Sequence, residues 1–453
     1  MIFIHFGCIN QNEVKNDNSS ATYYVDSDKG SDAYDGTSIN SPWQTLSRLN
    51  DIKFNAGDKI RFKRGSQFEG RLVIRNSGSK DNYITLTDYG DPQEDAPRFT
   101  NPEFTGNNFG NCIRIKGDYV LVENLYFHDT AVFESSDDAD DGFLAIWEMG
   151  TIYVDKEANH TIIRNNELEN CPVGIKSYGH HTLIEYNYIH DCNRVLKEWG
   201  WGPIGIWFGG DYQEARYNRI INYRAENPNI KWSKGTGGGA DGGAFEIDDA
   251  RFDKSNISIH HNYTRDNQGF LEVTWSDVES HPDYRDFEIH HNVSDDYQQF
   301  VALWNGKNVK IDNNTIIRRK VNANDWGVFN ITEDHSRNKI RNNIIVTEKD
   351  IQVFNVGLNM HKNPENIIEN NLFHAATGKL VIGDEGPGES PVFADPLFKN
   401  YKEESTALSY SITKDSPAKS GGVDLGYEYD FREISIPQQI TPAIGAFELE
   451  IPK

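Results

Sequence analysis

The chain has 453 residues, with 69 acidic against 45 basic side chains and a formal charge of −24, so long-range repulsion excludes nucleic acid and anionic membrane as its main partners. Apolar residues at 37% and aromatics at 12%, including 24 Phe, 21 Tyr and 9 Trp, exclude a disordered chain and can furnish a large core. Four cysteines without CxxC spacing exclude a disulfide scaffold and a zinc finger, and no apolar stretch reaches the length of a membrane span.

In chain order, MIFIHFGCINQNEVKNDNSS at 1–20 is a short apolar run ending at Cys8, then a polar tether. It resembles a shortened bacterial lipoprotein signal whose cysteine takes the lipid, with His5 departing from the usual aliphatic pattern. The resemblance implies a secreted, periplasmic or outer-membrane-anchored lipoprotein and sets residues 1–21 apart from a folded unit at 22–450. YYVDSDKGSDAYDGTSINSPWQTLSRL at 23–49 resembles the opening of many secreted β-helix carbohydrate-active proteins and implies an amino-terminal cap over about 22–90. ESSDDADDG at 134–142 is acidic enough for calcium but lacks EF-hand spacing, and reads as a solvated loop.

From residue 161 onward one phrase recurs: TIIRNN, TLIEYN, NISIHHN, FEIHHN, VKIDNN, NKIRNN and NIIENN, with ARYN a weaker member. The closing asparagines are Asn166, Asn187, Asn218, Asn262, Asn292, Asn314, Asn343 and Asn371. A short strand of period two ending in asparagine, repeated with variable insertions, predicts a single-stranded right-handed parallel β-helix. Asparagine tolerates the left-handed backbone region at a tight corner, and its amide can bond to the next asparagine one coil away. Cys171 and Cys192 then become neighbours in the stack, as thiols or as a disulfide.

Aligning the coils on these corners places YVDK, GIKSY, GIWFG, AFEID, FLEVT, FVALW and VFNIT in register. Val154, Ile175, Ile206, Phe245, Leu271, Val301 and Phe329 point inward. Alternation sends Asp155, Lys176, Trp207, Glu246, Glu272, Ala302 and Asn330 outward in one column, with Tyr178, Gly209, Asp248, Thr274, Trp304 and Thr332 in a second. Glu246 and Asp248 are separated by two residues of strand rise, roughly 6.7 Å, which suits the paired acids of inverting glycoside hydrolysis. Glu272 lies one coil from Glu246, close enough to share a proton or a cation. These three are the candidate catalytic residues. Trp207, Trp304 and Trp275 are candidate sugar platforms, and Lys176 and Asn330 share the first column as substrate contacts. His281, Tyr284 and Arg285, in the insertion after Glu272, are expected to overhang the acids or to belong to a solvated loop.

FEID resembles the acid pair of the iota-carrageenase group of β-helix hydrolases, which implies Glu246 as general acid and Asp248 as general base. FEID followed by NQGFLEVTW is also similar to the chondroitinase B and alginate lyase family. That likeness implies calcium held by Glu246, Asp248 and Glu272 and β-elimination on a uronate. Thr274 stands where that family has its arginine, and Arg251 and Lys254 are out of register for its lysine. ADPLFKN, DSPAKSGG and PAIGAFE resemble the closing phrases of such proteins and imply a closing segment over about 390–450. The resulting expectations are a monomeric polysaccharide- or oligosaccharide-degrading hydrolase needing no cofactor, a calcium-dependent lyase, or a glycan-binding surface protein without turnover.

Overall fold

The computed structural model describes residues 20–105, 108–131, 146–194, 201–224, 241–249, 251–273, 283–303, 306–319, 327–331, 336–355, 363–401, 406–436 and 441–449. Apart from one short antiparallel pair, Phe104–Thr105 with Asn108–Phe109, its strands form three parallel sheets. The first runs through twelve strands from Thr22–Val25 to Ile367–Glu369, and the second through twelve from Gln67–Glu69 to Val392–Phe393. The third runs through nine from Leu72–Ile74 to Phe329–Ile331. In the coils of the repeat region each turn of chain gives one strand to each sheet, so neighbours in every sheet are successive coils.

The repeat phrase sets this geometry. Within IIR, LIE, EAR and their successors, the central residue points inward: Ile163, Ile184, Ala215, Ile259, Ile289, Ile311 and Ile340 are at most 1% exposed. Each isoleucine so buried contributes roughly 1.5–3 kcal/mol. The closing asparagines form one continuous ladder. Backbone N–H groups of Asn166, Asn187, Asn218, Asn262, Asn292, Asn314 and Asn343 each donate to the side-chain oxygen of the next asparagine at 2.9–3.1 Å. The weak member Asn218 belongs to it fully. The left-handed residue at each corner is not the ladder asparagine but the one before it, as at Tyr186, Tyr217, His261, His291 and Asn313, with φ between 51° and 56°. The ladder amide bridges coils while its predecessor turns the chain.

In the third sheet the inward residues Ile175, Ile206, Phe245, Leu271, Val301 and Phe329 are paired as expected. One coil differs. Ile152 pairs with Ile175 and Tyr153 with Lys176, so Tyr153 rather than Asp155 occupies the first column. Ile152 and Val154 are both apolar, and a slip of two residues in a period-two strand leaves the inward face unchanged. Cys112, Cys171 and Cys192 are buried free thiols. The carboxy-terminal segment packs on the outside of the second sheet, where Tyr410, Ala446 and Phe447 cover Tyr263, Val293 and Ile317. Among the described residues no helix is long and apolar enough to cross a membrane.

Candidate active site on the third sheet

The first outward column runs Tyr153, Lys176, Trp207, Glu246, Glu272, Ala302 and Asn330, each the Cα partner of the next. The second continues through Tyr178 and Gly209, whose N–H groups donate to Val154 and Ser177, to Asp248. Phe245, Ile247, Leu271 and Val273 alternate with the acids and lie in the central core, so Glu246, Asp248 and Glu272 stand together on the opposite face. They are nevertheless only 6%, 8% and 6% exposed. Three carboxyls in so dry a place need charge partners nearby.

Lys254 supplies part of that charge, beside a fourth acid, Asp249. Asp249 takes a left-handed φ of 83° at the end of its strand, and its carboxylate accepts from Tyr178 Oη at 2.8 Å and Arg251 Nε at 2.7 Å. Lys254 is fully buried, and its Nζ donates to the carbonyls of Asp249 and Phe252 at 2.5 and 3.0 Å and to Tyr284 Oη at 3.1 Å. Burial raises the pKa of Asp248, against the pull of the Lys254 and Lys176 charges that favour its carboxylate. Burial lowers that of Lys254. Lys176 is pushed down to about 7, chiefly by burial, with Asp249 and Asp248 opposing.

Several candidate positions take a different role from the one expected. Trp207 is 1% exposed and packs with Ile146, Met149, Val173 and Ile204, so it is no open sugar platform. An indole presented outward at this point is covered by the 146–149 segment, which alternation along the strand does not reveal. Lys176 is two coils from Glu246 as expected, but its Nζ is buried against the Trp207 ring, 3.3 Å from the centroid, and donates to the Ile146 carbonyl at 2.8 Å. It touches no solvent-side ligand. Asn330 is 3% exposed and accepts from Asn355 Nδ2.

Tyr284 and Arg285 open a strand, Tyr284–His290, of the first sheet rather than a loop. Tyr284 is buried beside Lys254, and its hydroxyl pKa is raised by burial first and then by Asp248, Asp249 and Glu246. Alternation turns Arg285 outward to ion pairs with Asp283 and Asp286, away from Tyr284. Trp275, Trp304 and His281, like Thr274, Thr332, Cys8 and the 134–142 loop, lie outside the described residues. Asp249 went unnoticed in the sequence. The Asp248–Asp249 doublet was its available signal, but only a known strand end separates the acid that faces the groove from the one that anchors the turn.

No protein-family profile matches the chain. A lacto-N-biosidase of Bifidobacterium longum is 42% identical over 83 residues, which are 17% of this chain and 5% of that protein. The chain thus spans a small fraction of that relative's length. Among solved structures, XylC in complex with xylose has a TM-score of 0.57 at 11% identity, covering 94% of this chain and 98% of XylC. The pectate lyase Pel9A has a TM-score of 0.55 at 12% identity, covering 95% and 97%. The chain is a right-handed parallel β-helix. At such identities the two structures speak for the fold alone, since this architecture hosts many chemistries.

Proposed function

We propose that this β-helix is a glycan-degrading glycoside hydrolase in which Asp248 donates the proton to the leaving oxygen and Glu246 acts as the base. The supporting observation is the environment of Asp248. It lies two residues of strand rise from Glu246, roughly 6.7 Å along the backbone, and burial raises its pKa. A carboxyl whose proton is held toward neutral pH, with a second carboxyl two residues along the strand, fits the acid and base pair that inverting hydrolysis requires. This reverses the roles implied by the FEID resemblance, because it is Asp248 whose pKa burial raises. Glu272, one coil from Glu246, is a positioning residue. The lacto-N-biosidase likeness, though confined to 83 residues, supports a glycan as substrate.

Elimination fares less well on the same geometry. It needs a strong base able to reach the substrate, and both candidate lysines are fully buried, Lys254 with three acceptors and Lys176 under an indole. Calcium wants six to eight oxygen ligands, whereas Asp248 already feels two ammonium groups, which disfavour a cation at that carboxylate. The acid-base use is the better fit.

The test is turnover by Glu246→Gln and Asp248→Asn on reducing-end release, each expected to fall at least about a hundredfold. Aryl glycosides with an acidic leaving group need no proton, so they should restore much of the rate to Asp248→Asn and none to Glu246→Gln. Unsaturated products absorbing in the ultraviolet would instead establish a lyase.

A further inference from the structure

Four to five coils toward the amino terminus from the acids, the same outward columns carry cations. Val73 pairs with Arg114, and Arg114 with Tyr153, so Arg114 stands in the column of Glu246, four coil steps away along Tyr153, Lys176 and Trp207. Arg75 and Lys116, two residues beyond Val73 and Arg114, fall in the column of Asp248. With Arg71 and Glu148 they line a groove of about 460 Å³ walled on one side by Phe109, a volume within the usual range of small-molecule clefts. Four cations and one carboxylate line a single groove in a chain whose net charge is −24.

We propose that this groove is a subsite for the acidic substituent of a glycan, a uronate carboxylate or a sulfate ester, held four coils from the Glu246 and Asp248 pair. The inference rests on the reading of that pair as the cleavage site, and it names the substrate class as an anionic polysaccharide. Successive coils are roughly 4.8 Å apart, close to the length of one pyranose unit. A chain that passes over the 146–149 segment covering Lys176 and Trp207, with a bond between Glu246 and Asp248, presents a unit about four sugars away to the cations.

The groove is built rather than incidental. Arg114 is held by Asp155 through two bonds, at 2.9 and 2.6 Å, and by Glu148 at 2.8 Å, and its guanidinium lies over the Tyr153 ring. That fixes the floor. Arg75 and Lys116 are exposed at its edge, and Lys116 has no ion pair among the described residues. Burial, then the Arg114 charge, lowers the pKa of Arg71, with Glu103 and Asp155 opposing and Arg75 adding to the shift. The separation from the acids, about 19 Å by strand spacing, is roughly two Debye lengths at physiological ionic strength, and the acids do not cancel the charge of the groove. Guanidinium groups pair bidentately with carboxylate and sulfate oxygens, and Phe109 offers an apolar face to the sugar ring.

Native affinity electrophoresis tests this with polygalacturonate against its carboxyl-reduced form and with a sulfated galactan against its desulfated form. The wild-type chain, Arg75→Ala/Lys116→Ala and Glu246→Gln are run at low and high salt. One anionic polymer is expected to bind at least about tenfold more tightly than its neutral counterpart, and the double variant to lose that margin together with much of its salt dependence. Which polymer shows the margin decides between carboxylate and sulfate. Unchanged thermal melting of the double variant shows that the fold is intact. Equal binding of charged and neutral forms, unaltered binding by the double variant, or no binding to either anionic polymer overturns the proposal. Full turnover by Glu246→Gln with binding lost in the double variant removes the cleavage assignment and leaves the subsite standing.

Discussion

The Lys176 ammonium lies 3.3 Å from the centre of the Trp207 ring, and neither side chain is more than 1% exposed. Burial of that ammonium makes the candidate site's stability depend on pH. The pKa of Lys176 falls from 10.5 to about 7 on folding, so between those values the unfolded chain binds a proton that the native chain has released. Stability from this group therefore rises as pH increases from about 7 toward 10.5. Lys176→Met should flatten the rise in melting temperature over that window. An identical pH slope in the variant would show that Lys176 titrates normally.

Lys254 bears on the proposed acid. Its charge favours the Asp248 carboxylate, so Lys254→Met should raise the Asp248 pKa further and carry the alkaline limb of kcat/KM upward by about one pH unit. The acidic limb, set by the base, should move less. A profile in which neither limb shifts would detach Asp248 from proton donation.

The asparagine ladder predicts a stability cost that surface position would not. Asn292 donates its amide to the Ile259 carbonyl at 2.9 Å and to Asn314 at 3.0 Å, and accepts from the backbone and side chain of Asn262 at 3.0 and 3.1 Å. Asn292→Ala leaves several buried groups unpaired and should cost about 3 kcal/mol by denaturant unfolding. Asn308→Ala, at a half-buried corner of left-handed φ where the side-chain amide donates to Asp286, should cost less. Equal effects would mean that the ladder adds nothing beyond an ordinary turn.

A histidine stack ties the carboxy-terminal segment to the coil corners. Nδ1 atoms of His260 and His261 are 2.7 Å apart, those of His290 and His291 are 3.0 Å apart, and Tyr427 stacks on His290 at 4.4 Å. Burial, then neighbouring histidines, lowers His261 to about 3 and holds His290 and His291 well below 6.5. The unfolded chain binds more protons between pH 3 and 6.5, so the stack loses stability as pH falls through that range. Raised carboxyls such as Asp296 and Asp312 act in the opposite sense, which makes the comparison with a variant decisive. His290→Leu/His291→Leu should show a smaller drop in melting temperature between pH 6.5 and 4 than the wild type.

Cys112, Cys171 and Cys192 are free thiols with raised pKa values, chiefly from burial, at about 11 for Cys171 and about 12 for Cys192. Disulfide reagents at pH 8 should leave these three unmodified in the native chain and label them after unfolding. Labelling of native Cys192 would place it at an accessible surface.

The repeat phrase and its asparagines determined the coil, the ladder down to its weakest member Asn218, and the register that brings Glu246 beside Glu272, because period-two alternation and corner chemistry are local properties of the chain. The slip at Ile152 escaped notice because both registers bury an apolar residue. Which outward side chains remain open was a different matter: Trp207 and Lys176 stand where alternation puts them, yet the 146–149 segment closes over them, and Tyr284, expected in a loop, is buried at the start of a first-sheet strand. Burial depends on what distant segments pack above a strand, and so do the pKa values of Asp248, Lys176 and Lys254. Only the tertiary structure decided that.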